Sequence, residues 1–281
     1  MNNEKNQKKN ETSSRAGGTL RPPMDIRSGV LWTLVLGILL PALGAFLLKN
    51  RSDLYVTLAA DGAGAVIAFL LLRGRARAGG AVSRRFTAKD LILSVLLMFF
   101  TLHCLNGVCR IFLPEQTASS GAAARMAGSG TIGAGTGASG EILLAVIGLA
   151  VLPAIYEELL MRGILFRSLR TAAGFWPAAL LSAAFWGIWH WNPAQCVTAF
   201  GAGLVLALLM EVYDSLALVI LLHMANNLMS VFGWLLARWI PGALRGPGAS
   251  AGGNGILLLA EGLAAVWLFR KVKTGEPLRR R

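Results

Sequence analysis

Residues 142–166 read ILLAVIGLAVLPAIYEELLMRGILF. An apolar run long enough to enter a bilayer is interrupted by Glu157, Glu158 and Arg162. On insertion scales each such charge costs about 3 kcal/mol at the membrane centre, so a span that keeps three of them implies a use for them. The rest of the chain has the same membrane character. Of its 281 residues, 55% are hydrophobic and 15% charged, outside the usual balance of a soluble domain. Several apolar runs approach the roughly 20 residues that a helix needs to cross a bilayer, and the alternating pattern of a transmembrane barrel is absent. The fold class is therefore all-α, a polytopic transmembrane helical bundle of about eight spans. These lie near Val30 to Leu48, Leu54 to Leu72, Leu91 to Leu113, Ile142 to Met161, Trp176 to Trp191, Ala194 to Met210, Ser215 to Trp234 and Ile256 to Phe269. The last is the weakest, being short and containing Glu261.

Charge sets the expected topology. With eight alternating spans and a cytoplasmic amino terminus, one face receives residues 1–27, 73–89, 162–170 and 270–281, which hold 21 of the 27 lysines and arginines. This is the positive-inside pattern, and it places both termini in the cytoplasm. The net charge of +13 then calls for no nucleic-acid partner, because attraction to the anionic headgroups of the lipid bilayer accounts for it. Compactness points to a bacterial cell membrane for this integral protein.

The chain divides into a disordered basic tail over 1–27, N-terminal transmembrane helices over 28–113 and a flexible Gly/Ala-rich loop over 114–140. A transmembrane core over 141–240, a Gly/Pro-rich loop over 241–255, and a last helix with a basic tail over 256–281 follow. No small-residue cleavage site follows the first apolar segment, so that helix is retained. Cys104, Cys109 and Cys196 fall in apolar spans and read as buried thiols. His103 beside two of them lacks a complete ligand set and fits no zinc spacing, so it reads as packing.

Ionisable groups concentrate in the second half. Glu158 and Arg162 are four residues apart, on one helical face where a salt bridge forms, and His223 and Asn227 share that spacing. Counting about 1.5 Å per residue from the cytoplasmic turns, with the fourth helix running on to a turn near Ala173, puts Glu157 about 24 Å and His190 about 25 Å deep. His223 lies about 14 Å and Asn227 about 20 Å above a second turn near Asp214. Each group has a plain structural alternative: intramembrane histidines hydrogen-bond between helices, and an acid–base pair neutralises itself. One arginine, however, cannot compensate two adjacent carboxylates, and a surplus carboxylate in a low-dielectric site suits general acid–base chemistry.

The order and spacing of these residues carry a resemblance. EELLMR (157–162) resembles the EExxxR motif, and HMANN (223–227) the HxxxN motif, of the CAAX protease and bacteriocin-processing family of intramembrane proteases, also called the Abi family. Between them WGIWH (186–190) is similar to its FxxxH motif, with Trp186 where phenylalanine is usual. The resemblance covers about Ile142 to Gly233 and makes 141–240 the catalytic core. It implies an endopeptidase that hydrolyses a peptide bond in a membrane-associated or lipidated peptide, or in a small precursor protein, with a cavity open to the cytoplasm. Glu157 or Glu158 would activate water, Arg162 would orient the pair, and His190, His223 and Asn227 would bind the reacting group. A zinc variant would use Glu157, His190 and His223 as ligands, although no HExxH motif enforces that geometry. Two further readings are a noncatalytic membrane protein that binds a partner in immunity or envelope regulation, and a proton-coupled transporter, which the lack of an internal repeat disfavours. An aspartyl dyad would need Asp61 and Asp214 face to face without a GxGD partner.

Overall fold

The computed structural model describes residues 24–49, 53–76, 86–119, 139–239 and 255–274, and every regular element among them is helical. Eight long helices follow the expected order: α1 (Ile26–Leu47), α2 (Asp53–Ala76), α3 (Ala88–Phe112), α4 (Ile142–Ala173), α5 (Phe175–Ile188), α6 (Pro193–Tyr213), α7 (Leu216–Trp239) and α8 (Gly255–Thr274). Six contain a stretch long and apolar enough to cross a membrane. The exceptions have visible causes. α5 has 14 residues, about 21 Å of helix against a hydrocarbon core of about 30 Å. α8 carries Glu261 and ends in Arg270, Lys271 and Lys273. Most of the tail over 1–27, of the loops over 114–140 and 241–255, and of the basic tail after α8 lies outside the described residues.

Local chemistry fixes the helix ends. Asp25 caps α1 by accepting from the Ser28 hydroxyl and amide, bonds that hold its carboxyl below the usual value. Thr87 and Asp90 form a reciprocal capping box at α3. Asn192 accepts from the Gln195 amide at 3.0 Å, and Pro193 opens α6. Gly174, at φ 84, makes the sharp junction between α4 and α5, a conformation a side chain would strain.

Three stretches widen into π-helix. Those over Val35–Leu39 and Ile147–Val151 each stand just before a proline, Pro41 and Pro153. A proline inside a helix cannot donate and presses on the carbonyl four residues back, and a wider turn relieves both. The third, Leu159–Phe166, has no proline and follows directly on the glutamate pair.

α4 runs through the middle of the bundle, with every residue from Leu159 to Phe166 buried. α6 is its most buried neighbour, contributing Leu206, Leu208, Leu209 and Met210 to the core. The outer faces of α1, α2 and α3 expose Leu39, Phe46, Leu70, Ile92 and Val95, an apolar perimeter suited to lipid. Small residues let the backbones approach: the Tyr156 ring occupies the place of a Gly64 side chain, Ala183 stands over Gly203, and Leu258 over Gly107. The Tyr156 hydroxyl also donates to the Leu36 carbonyl at 2.5 Å, tying α4 to α1.

One end of the bundle gathers the basic residues, as alternating crossings require. Arg167 pairs with Asp214 at 2.5 Å, and Arg170 bonds Glu211 through two nitrogens at 2.8 and 2.7 Å. Lys273 stands 4.3 Å over the Trp176 ring and Lys271 4.5 Å over that of Trp267. Ser168 donates to the Met24 carbonyl at 3.3 Å, which brings the start of α1 to the same end.

Candidate active site

Glu157 and Glu158 close the α-helical stretch of α4 that precedes its second π segment, and Arg162 lies one turn on. Consecutive residues on a helix point about 100° apart, so the two carboxylates enter different surroundings.

Glu158 is fully buried. Its Oε1 accepts from Arg162 Nη1 at 2.7 Å and lies 2.9 Å from His223 Nδ1. Arg162, also fully buried, donates Nη2 to the Gly203 carbonyl at 3.1 Å and lays its guanidinium 4.6 Å from the centre of the Trp186 ring. Gly203 is what permits this, since a Cβ there would come within 2.8 Å of Ala183.

Glu157 retains 18% exposure of its side chain. Its Oε2 accepts the indole N–H of Trp186, and the same oxygen stands 4.0 Å from His223 Nε2. Oε1 has no partner among the described residues. The Trp186 ring meets the imidazoles of His223 and His190 edge-on, with centroids 5.0 and 5.5 Å away.

Partners fix both tautomers. A carbonyl or carboxylate only accepts, so His190 Nδ1, 2.8 Å from the Trp186 carbonyl, and His223 Nδ1, against Glu158, each carry the proton. In both rings Nε2 is therefore the nitrogen left for other contacts.

The structure thus brings Glu157, Glu158, Arg162 and His223 into direct register, through α4 and α7. His190 joins them by way of Trp186 alone. It also lies beyond the end of α5, in a tight turn where Trp191 has φ 56, and not on the returning helix that the sequence suggests. Asn227 is one turn along α7 from His223, and its Oδ1 accepts from Asn226 at 3.5 Å. The zinc ligand set of Glu157, His190 and His223 meets one requirement and misses another. Both imidazoles are oriented as ligand histidines are, with Nδ1–H on an acceptor. Yet no three His, Cys, Asp or Glu side chains among the described residues are gathered closely enough to hold a metal ion. As arranged, these residues do not fit a zinc site.

Some contributors escape sequence reading. Trp186 stands out as a motif departure, but nothing in the sequence marks its N–H as a donor to Glu157. The Gly203 carbonyl leaves no side-chain signal at all. Asp61, an acid in the middle of α2, interacts electrostatically with Tyr156 and Glu157. Asp214 is elsewhere, ending α6 at φ 46 and paired with Arg167, so the two aspartates form no dyad. His103 pairs at 2.8 Å with Glu261, which supplies the reason for an acid in α8. The three cysteines are free thiols, Cys109 buried and the other two partly so.

Residues 139–229 match the family model described as type II CAAX prenyl endopeptidase Rce1-like. The match takes in all three motifs and leaves α1 to α3 outside it. No curated protein and no solved structure gives a significant match.

Proposed function

We propose, from the match of residues 139–229 to the Rce1-like model of type II CAAX prenyl endopeptidases, that this integral membrane protein hydrolyses a peptide bond by glutamate-activated water, with Glu157 as the base. The observation that carries the choice of glutamate is the contrast between the pair. Glu158 is buried and committed to Arg162 and His223, whereas Glu157 is partly exposed and keeps Oε1 uncommitted.

In this reading Arg162 offsets the charge of Glu158, which holds His223 with Nε2 turned toward Glu157. The 4.0 Å gap between His223 Nε2 and Glu157 suits a water about 2.8 Å from each, donating one proton to each and turning its lone pair to the scissile carbonyl. Glu157 takes the proton as the C–O bond forms, and returns it to the leaving amine as the C–N bond breaks. The oxyanion is bound by the Asn227 amide and by His190, whose Nδ1 is engaged by the Trp186 carbonyl so that Nε2 is the nitrogen left for the reacting group. The substrate is a membrane-associated or lipidated peptide, or a small precursor. The catalytic core is 141–240, entered from the end where the basic residues gather, which is the cytoplasmic side.

Purified protein in liposomes, given a lipidated peptide, is expected to release products detectable by mass spectrometry. Glu157→Gln should reduce the rate by at least about 10³-fold while the protein stays folded, its melting temperature within a few degrees of the parent's. A Glu157→Gln protein that still cleaves would remove Glu157 as the base.

A further inference from the structure

The reaction just proposed leaves one contact unused. Trp186 touches more of the site than any carboxylate does: its indole N–H donates to Glu157 Oε2, its ring face carries Arg162, its ring meets His223 and His190, and its own carbonyl holds His190 Nδ1. It is buried, on α5, while Glu157 is on α4 and His223 on α7. One side chain thus spans the three elements that must keep register.

Any aromatic ring supplies most of those contacts, since guanidinium stacking and edge-on imidazole packing need only a π face. The bond to Glu157 needs an N–H. A glutamate with one oxygen uncommitted rotates freely about its terminal torsion, which is broad and two-fold for carboxylates. Fixing Oε2 to the indole removes that rotation. The carboxylate then presents a defined oxygen 4.0 Å from His223 Nε2, the gap assigned above to water.

We infer that Trp186 is a positioning residue whose indole N–H fixes the carboxylate plane of Glu157 relative to His223. It touches no reacting atom and acts only through Glu157. The inference rests on Glu157 being the base, and loss of the N–H should therefore reduce kcat and leave KM in place, because the ground-state contacts of the substrate are untouched.

The test separates the bond from its use. In protein carrying ¹⁵N-labelled indole, Trp186 should give a downfield N–H resonance that disappears in Trp186→Phe. It should move upfield in Glu157→Gln while those of Trp176 and Trp267 stay put. Replacing Trp186 by benzothienylalanine, which has sulfur in place of the N–H and the same shape, should lower kcat about 10-fold with KM unchanged and the melting temperature within a few degrees of the parent's. Trp186→Phe should show the same kcat loss.

An indole resonance indifferent to Glu157→Gln would overturn the hydrogen bond even if Glu157→Gln is inactive, leaving the proposed function intact. Conversely, a resonance that moves in a Glu157→Gln protein still cleaving peptide would keep the bond and remove its catalytic meaning. An unchanged kcat in the sulfur isostere, or a loss matched by a fall in melting temperature, would reduce Trp186 to packing.

Discussion

Glu157 and Glu158 are chemically the same residue placed one position apart, and their neighbours give them different work. Glu158 sits in a closed network in which Arg162 is charged, buried and tied to little else than this carboxylate and one backbone carbonyl. Removing one partner of such a pair strands the other charge away from water, typically at about 3 kcal/mol. Glu157 loses only a neutral N–H bond when neutralised, about 1 kcal/mol. Glu158→Gln should therefore lower unfolding free energy in detergent by about 3 kcal/mol, measured by denaturant titration, against about 1 kcal/mol for Glu157→Gln. Equal losses would contradict this division. The identities of these acids and bases were legible as a motif, since EExxxR and HxxxN fix spacing on one face. Which glutamate is spare was not. That depends on a rotation of about 100° between successive residues and on what α5 and α7 bring to each side.

Helices were legible in order and extent because the hydrophobic runs are long. Their interruptions were less so. Two of the π segments are explicable once Pro41 and Pro153 are noticed, whereas Leu159–Phe166 has no such marker. A π stretch is a local surplus of residues per turn, and nothing in the hydrophobic pattern marks where such a surplus falls. Just beyond it Arg167 and Arg170 pair with Asp214 and Glu211. α8 was the weakest expected span, and the reason it is held is tertiary: His103 answers Glu261, and a side chain introduced at Gly262 would place its Cβ 3.4 Å from the Cys104 sulfur. That separation is close to what a disulfide needs. Gly262→Cys should therefore cross-link to Cys104 under mild oxidation, seen as protection of both thiols from maleimide. Free thiols after oxidation would mean that α8 does not pack on α3 in this register.

At the scale of the molecule, charge asymmetry predicted that α4, α5 and α8 share an end, and the cation–aromatic contacts of Lys273 with Phe175 and Trp176 put them there. Convergence of the three motifs at one depth was only an arithmetic coincidence in the sequence, because helix rotation is invisible to a count along the axis. α5, already the shortest of the interior spans in the sequence, is shorter still in the fold. It stops well before the far side of a bilayer, and the turn carrying His190 stops with it. Lipids around that turn must shorten or tilt to meet it, at a cost of fractions of a kcal/mol per Å of mismatch. Acyl-chain length thereby becomes a control on the proposed reaction: thin bilayers hydrate the His190 turn, thick ones press hydrocarbon onto it. Turnover in vesicles of 14-carbon lipids should exceed that in 20-carbon lipids several-fold at equal substrate loading, and a flat response across chain lengths would show that the protein shields this turn by itself.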